Sequence, residues 1–164
     1  MPGAVDNFCA TIARRGRLAV MSFENLPDDW PARPLDDPVL AADVVDLVVS
    51  DADRAAGALG FLLCRPGGTL AQPVVVGEVA QEDPTQVVAR MIPVIADLPD
   101  TPGFVLALAR PRGGVGDADR ALHQYALDAC EDAGLTLWGT FLATHAGVTH
   151  LPVASGLVPR SGAA

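Results

Sequence analysis

The sequence predicts an α/β (α+β) fold in which helices flank a mixed β-sheet. Half of the 164 residues are hydrophobic and 19% are charged, so the chain can bury a core and disorder over its whole length is excluded. Short apolar runs of strand length alternate with longer segments whose apolar residues recur at helical spacing. Two Asp-Pro pairs, at 37–38 and 83–84, mark helix starts, because aspartate caps a helix and proline suits its first position.

The first half of the chain is predicted to form a helix followed by three strands. Apolar residues at helical spacing place the first helix at about 38–49. Apolar residues over 59–64 and 69–72 flank a Pro-Gly-Gly turn, which is typical of a hairpin. A run of valines over 74–79 is expected to continue the sheet as a third strand.

The second half of the chain is predicted to alternate helices with strands. A helix begins at Pro84, and Pro93 should kink it or end it early. The apolar run over 104–109 predicts a buried central strand. After a glycine-rich loop, Asp117 is expected to cap a helix that runs to about Ala133, and a strand pair over 135–151 follows.

The chain is expected to hold a single domain, because its length suits one domain better than two. Residues 1–37 are predicted to form an N-terminal arm and a proline-rich lead-in on the surface. Met21 opens a segment typical of a protein start, which makes it a possible native initiator. The α/β domain itself is placed at 38–152, and the small, polar residues 153–164 predict a flexible tail.

The charge and the cysteines predict a cytoplasmic protein that binds neither nucleic acid nor membranes. The formal net charge is −9 and all 11 basic residues are arginine, whereas a nucleic-acid binder normally carries a basic stripe. No apolar run reaches the ~18 residues of a membrane span, and no signal-peptide cleavage pattern is present. The three cysteines lack metal-site spacing, and Cys64 and Cys130 are expected to pack as small apolar residues.

The loop after the predicted central strand carries the motif that bears on function. Residues 108–113 read Leu-Ala-Arg-Pro-Arg-Gly, and Asp119 follows in the next helix. Together with the order of elements, this loop resembles the RadC branch of the JAB/MPN metalloprotease-like superfamily over about 38–151. That branch has His-Asn-His-Pro-Ser-Gly at this place and an aspartate shortly after it. The resemblance implies a RadC/JAB, cytidine-deaminase-like architecture.

The departures from the family motif fall on its metal ligands. Pro111 and Gly113 match the motif, whereas Leu108 and Arg110 stand at the two histidine positions. Asp119 takes the position of the family's aspartate only if the loop here is two residues shorter. Of the metal ligands in the family motif, this sequence therefore keeps only the aspartate, at Asp119.

Two further positions of the family pattern are also altered. The glutamate expected before the first strand aligns near Ala56, and Leu-Trp-Gly-Thr over 137–140 stands where a strand-end aspartate-histidine pair is expected. A zinc hydrolase needs about three protein ligands and a carboxylate base for the bound water. Arginine stays charged at any working pH and repels a divalent cation. The resemblance thus implies a relative without metal activity, and we expect no metal and no other cofactor.

The histidines leave a second interpretation open. Asp119 and His123 are separated by four residues on one helix face, and with His145 or His150 they could form a relocated metal site. The simpler interpretation is a group of surface polar residues with one local hydrogen bond.

The arginines of the loop leave a third interpretation open. Arg110, Arg112 and Gly113 precede a helix N-terminus, where anions are favoured and arginine binds phosphate or carboxylate well. The lysine and the Ser/Thr of a phosphate loop are missing, and Asp117 and Asp119 would repel an anion. The simpler interpretation is a plain loop with exposed arginines.

The leading prediction is a non-catalytic binding or protein-interaction module that acts through an unknown protein partner or through self-association. The alternative is a small-molecule or anion-binding protein, or a hydrolase, with a pocket at Arg110, Arg112, Asp119 and His123. Convergence of these side chains into one concave pocket would favour the alternative. Arginines that point outward would favour the interaction module.

Overall fold

A computed structural model describes residues 26–78 and 82–151 of the chain. These residues form a short 3₁₀ turn followed by four α-helices and five strands. In chain order the elements are the turn Trp30–Ala32, α1 (Pro38–Val48), α2 (Asp51–Ala56), β1 (Ala58–Cys64), β2 (Leu70–Gly77), α3 (Pro84–Ala96), β3 (Gly103–Ala109), α4 (Asp117–Ala133), β4 (Thr136–Thr144) and β5 (Gly147–His150). The predictions on Met21, on the arm before residue 26 and on the tail after 152 lie outside the described residues.

The five strands form one mixed sheet in the order β2-β1-β3-β4-β5. Strand β1 pairs antiparallel with both β2 and β3, β3 pairs parallel with β4, and β5 returns antiparallel on β4. The mixed sheet predicted from the sequence is confirmed. Because β1 runs opposite to β3, the start of β1 and the carboxyl end of β3 lie side by side at the same end of the sheet.

The central strands β1 and β3 are buried along their whole length and divide the core into two layers. One face packs against α1 and contains Leu62, Val105 and Phe141. The other face packs against α3 and α4 and contains Phe61 and Phe104, whose rings are 5.5 Å apart between centroids. Helices therefore cover both faces of the sheet, as expected for strands that read as continuous apolar runs.

The helix ends follow the capping residues of the sequence. Asp37 accepts a hydrogen bond from the Val39 amide at 2.9 Å, and Asp83 accepts one from the Thr85 amide at 3.0 Å, so both Asp-Pro starts are confirmed. At the end of α4, Gly134 has φ of +74°, the left-handed conformation that glycine adopts without a steric penalty.

The elements differ from the predictions in three places. Helix α2 was not predicted, although Ser50 and Asp53 form a reciprocal capping box at its start. The segments predicted as two strands on either side of Pro73 form the single strand β2, because proline is tolerated on an edge strand. Pro93 does not end α3 early, since the helix continues to Ala96; the alternative, that Pro93 kinks the helix, stays a prediction.

The proline-rich lead-in differs from the extended surface segment that we predicted. It contains the 3₁₀ turn, and the side chains of Trp30 and Leu35 are buried in the layer of α1. Pro34 forms an isolated bridge with Thr69, and the Leu35 amide donates to the Gly68 carbonyl at 2.9 Å. Apolar residues between the prolines thus attach the lead-in to the β1–β2 turn.

Candidate functional site

A cavity of about 490 Å³ lies at the carboxyl end of β3, where three helices meet the edge of the sheet. The last residues of α2 form one wall, the first residues of α4 form another, and the start of α3 closes a third side. Ala109 and Arg110 at the end of β3 form the floor, together with Leu59 of β1. The end of α2 lies beside the end of β3 because β1, which follows α2 directly, runs antiparallel to β3 and pairs Ala58 with Ala109.

Arg110 and Asp119 form a bidentate ion pair that lines this cavity. The two terminal nitrogens of Arg110 donate to the two carboxylate oxygens of Asp119 at 2.7 and 2.8 Å. The Asp119 side chain is 8% exposed and that of Arg110 is 35% exposed. Arg110 also donates to the Gly114 carbonyl at 2.6 Å, and the Gly116 amide donates to Asp119 at 2.8 Å. The pair therefore fixes the glycine-rich loop to the start of α4.

The ion pair keeps Asp119 charged. The hydrogen bond from Arg110 lowers the pKa of the Asp119 carboxyl; burial opposes this, and the Gly116 amide reinforces it. Asp117 was expected to cap α4, but it is the first helical residue and Gly116 holds the cap position. Asp119 serves both as the helix-capping carboxylate and as the partner of Arg110.

The other residues of the predicted pocket lie outside the cavity lining. Arg112 and Gly113 are exposed in the loop, and His123 is buried one turn further along α4. Arg110 and Asp119 thus converge as the pocket alternative requires, whereas Arg112 and His123 do not join them.

His123 is part of the core rather than of the surface, which corrects our expectation of exposed polar residues. It is 6% exposed, and its Nδ1 lies 2.7 Å from the hydroxyl oxygen of Thr140 on β4. Its Nε2 is buried and has no hydrogen-bond partner among the described residues. Burial lowers the pKa of His123, and the nearby His150 lowers it further.

Protonation of His123 is expected to destabilise the fold. Its pKa in the folded protein lies below the ordinary value of 6.5, so the unfolded chain takes up the proton first as the pH falls. This stabilising contribution is complete above pH ~6.5 and is lost below it, by at most about 1.4 kcal/mol per pH unit. Urea unfolding at pH 7.5, 6.5 and 5.5 should show a shallower pH dependence for His123→Gln than for the wild type. Equal slopes would contradict this assignment; His150, whose pKa burial also lowers, should account for the remaining slope.

A buried arginine, Arg54, holds the α2 wall of the cavity in place. One terminal nitrogen donates to the Thr144 carbonyl at 2.9 Å, and the other donates to the Asp46 carboxylate at 2.6 Å. Residues 137–140, compared above with the family's strand-end pair, lie in the first half of β4 rather than at its end. Thr144 occupies the strand end instead, followed by His145.

Nothing in the described ranges, 26–78 and 82–151, groups three or more His, Cys, Asp or Glu side chains in a way that could hold a metal ion. Nδ1 of His145 lies 3.9 Å from Oδ1 of Asp51. The His150 ring stacks on the Phe141 ring, with their centroids 4.8 Å apart. The structure therefore does not bring the three histidines together with Asp119.

The two described cysteines pack in the core, as predicted from their apolar surroundings. Cys64 and Cys130 are both buried. Burial raises the pKa of the Cys64 thiol to about 12 and that of the Cys130 thiol to about 11, which leaves neither as a thiolate nucleophile at neutral pH.

Several residues of the cavity were not identified from the sequence. Ala55 and Ala118 are exposed alanines at its mouth, and Glu82 lies at its rim. The capping box at Ser50 could have revealed α2 and hence one wall. Alanines carry no chemical signal, so their place at the mouth depends on the packing of three helices.

Comparison with known proteins gives no match: neither a family model, nor a curated protein, nor a solved structure corresponds to this chain. Among the residues that the structure describes, no helix has both the length and the apolar character needed to span a membrane.

Proposed function

We propose that this chain is a RadC/JAB-like domain, of the cytidine-deaminase-like architecture, that has no metal activity and works by binding. Its partner in this proposal is another protein or a second copy of the chain. The order of helices and strands supports the family assignment. So does the position of the altered motif, because Ala56, Leu108, Arg110 and Asp119 all line one cavity.

The observation that carries the proposal is the Arg110–Asp119 ion pair. Leu108 and Arg110 lie two residues apart on one face of β3 and its extension, where the family motif has its two histidines. The guanidinium group occupies the space beside Asp119 that a cation would need, and it neutralises the carboxylate at 2.7 and 2.8 Å. A metal ion would have to displace a fixed cation from a bidentate partner.

A small-molecule binder is the second candidate, and the cavity itself favours it. Its volume of about 490 Å³ falls within the 300–1,000 Å³ typical of ligand pockets. A hydrolase at the same place has less support, because the Asp119 carboxylate is already bonded to Arg110 and to the Gly116 amide.

Restoring the two histidines tests the family assignment. We expect the double variant Leu108→His, Arg110→His to bind zinc with roughly 1:1 stoichiometry, because two imidazoles and the released Asp119 carboxylate make three ligands. The wild type should bind none at the same site. Isothermal titration with zinc measures the affinity, and zinc should also raise the melting temperature of the double variant.

Two matched controls define the site. The variant Leu108→His, Arg112→His adds the same number of histidines but places one in the exposed loop, so it should gain no comparable affinity. Adding Asp119→Asn to the first double variant should abolish the gain. A folded Leu108→His, Arg110→His protein that binds zinc no better than the Arg112 control would refute the family assignment. A wild-type protein that carries stoichiometric zinc would refute the proposed absence of metal activity.

A further inference from the structure

The cavity at the carboxyl end of β3 opens to solvent and has the size of a ligand pocket. Its volume of about 490 Å³ lies within the range of roughly 300–1,000 Å³ typical of such pockets. Its exposed lining residues are three alanines, Ala55, Ala56 and Ala118, together with Glu82, Pro84 and Pro111. The alanines leave the α2 and α4 sides of the opening free of large side chains.

The inner wall of the cavity is aliphatic. Leu59, Leu108 and Leu122 line it from β1, β3 and α4, and each is at most 6% exposed. Backbone at Gly57 and Ala58 completes the wall beside α2. Water in such a space makes few hydrogen bonds, so an apolar ligand body that replaces it gains the hydrophobic free energy of transfer.

Each charged side chain of the lining is already paired. Arg110 is bonded to Asp119, and Glu82 at the rim accepts from Arg90 at 2.6 Å. A strongly charged ligand would lose its hydration without finding an opposite charge to pair with. Because these charges are paired, the cavity disfavours both an organic cation and the anion that the sequence-based alternative considered.

The ion pair still leaves one polar contact for a ligand. Within the part of the chain that the structure describes, Oδ1 of Asp119 accepts a single hydrogen bond, from Arg110 at 2.7 Å, although a carboxylate oxygen can accept two. The same guanidinium nitrogen carries a second hydrogen. A group that both donates and accepts, such as a hydroxyl or an amide, matches this pair of sites.

We propose that the cavity binds a neutral small molecule with a largely apolar body and one hydroxyl or amide group directed at Arg110 and Asp119. This inference rests on the small-molecule candidate for the function of the chain. It replaces the anionic ligand considered from the sequence with a neutral one, and it assigns the ion pair as the polar end of the site.

A matched pair of fluorescent probes tests the class of ligand. N-phenyl-1-naphthylamine is neutral and apolar, and 8-anilinonaphthalene-1-sulfonate has the same ring skeleton with an added sulfonate. We expect the full-length protein to bind the neutral probe with a micromolar Kd and the sulfonate at least tenfold more weakly. Fluorescence titration at neutral pH measures both.

A variant that fills the mouth locates the probe. Ala118→Trp places a large ring at an exposed position on the cavity side of α4 and should weaken binding of the neutral probe at least tenfold. Ala133→Trp, at the exposed far end of the same helix, is the matched control and should leave the affinity unchanged. Circular dichroism and the melting temperature should show that both variants fold.

Three outcomes would overturn the inference. They are no binding of the neutral probe, binding that is insensitive to Ala118→Trp, and equal or tighter binding of the sulfonate in a manner that Ala118→Trp abolishes. None of them bears on the zinc titration of the histidine variants. A failed ligand assignment is therefore distinguishable from a failed family assignment.

Discussion

Replacement of Arg110 by alanine is expected to lower the free energy of unfolding by about 2–3 kcal/mol, because it leaves the Asp119 carboxylate buried without its partner. Asp119 is 8% exposed, so water that reaches it through the cavity replaces the lost guanidinium group only in part. The estimate is below the usual cost of breaking a fully buried pair because Arg110 itself is 35% exposed. Arg110→Lys should fall between the wild type and alanine, since an ammonium group cannot make the bidentate contact.

A neighbouring ion pair provides the control for Arg110. Arg120 and Asp117 are also bonded, at 3.0 Å, but both side chains are well exposed. Removal of Arg120 should therefore leave stability nearly unchanged. Urea unfolding of both variants compares a partly buried pair with an exposed pair at the start of α4, and similar losses in each would contradict the role assigned to burial.

A double-mutant cycle separates the pair from its surroundings. Asp119→Asn removes the charge that Arg110 neutralises, so the combined variant should lose less stability than the sum of the two single variants. The decrease of stability at acidic pH gives a second measure of the interaction between Arg110 and Asp119. The lowered pKa of Asp119 contributes stability above its ordinary value of 3.8 that is lost as the pH falls below it. Arg110→Ala should reduce that loss, and additive single effects would indicate that the pair is not coupled.

The local signals in the sequence predicted the ends of the elements well. Both Asp-Pro helix starts and the Gly134 helix end depend on residues within one turn of each other, so pattern alone identifies them. The missed helix α2 had a local signal too, in the Ser50–Asp53 capping box. Its short length and lack of an apolar stripe hid it, since no hydrophobic periodicity marks six residues of this composition.

The candidate site was predictable only in part, because its parts come from separate regions of the chain. Arg110 and Asp119 are nine residues apart, and their loop and helix start were identified from the sequence. The partner of His123, Thr140, is 17 residues away on β4. No sequence spacing shows that strand β4 brings a hydroxyl to that helix face. The cavity mouth likewise depends on how three helices pack, which residue type alone does not determine.

Gly103→Ala is expected to cost about 3 kcal/mol or more, because a methyl group at this position would overlap the Thr136 carbonyl oxygen of the neighbouring strand. Gly103 pairs with Thr136 at the start of the parallel β3–β4 ladder. An added Cβ would also lie 2.8 Å from the Trp138 ring. The obstacle is backbone on one side and a large ring on the other, so side-chain adjustment cannot relieve it.

The reason for the close approach is an irregularity in the β3–β4 ladder. Phe104 pairs with Leu137 but Val105 pairs with Gly139, so Trp138 is an extra residue on β4. Such bulges bend a strand and bring backbones together, and glycine is the residue that tolerates this. The same bulge sets the register of β3 and β4 up to Arg110, whose amide donates to the Ala143 carbonyl at 3.1 Å. Strain that Gly103→Ala introduces would therefore affect β3, the strand that positions Arg110.

Gly77→Ala is the matched control for Gly103→Ala. Gly77 ends the edge strand β2, and an added Cβ there would meet no described atom within 4 Å. This variant should be as stable as the wild type or slightly more stable, because alanine restricts the unfolded chain. Urea unfolding of the two variants under one set of conditions measures the difference. A Gly103→Ala protein within ~0.5 kcal/mol of the Gly77→Ala control would mean that β3 and β4 separate easily, and that the register they impose on Arg110 is not rigid.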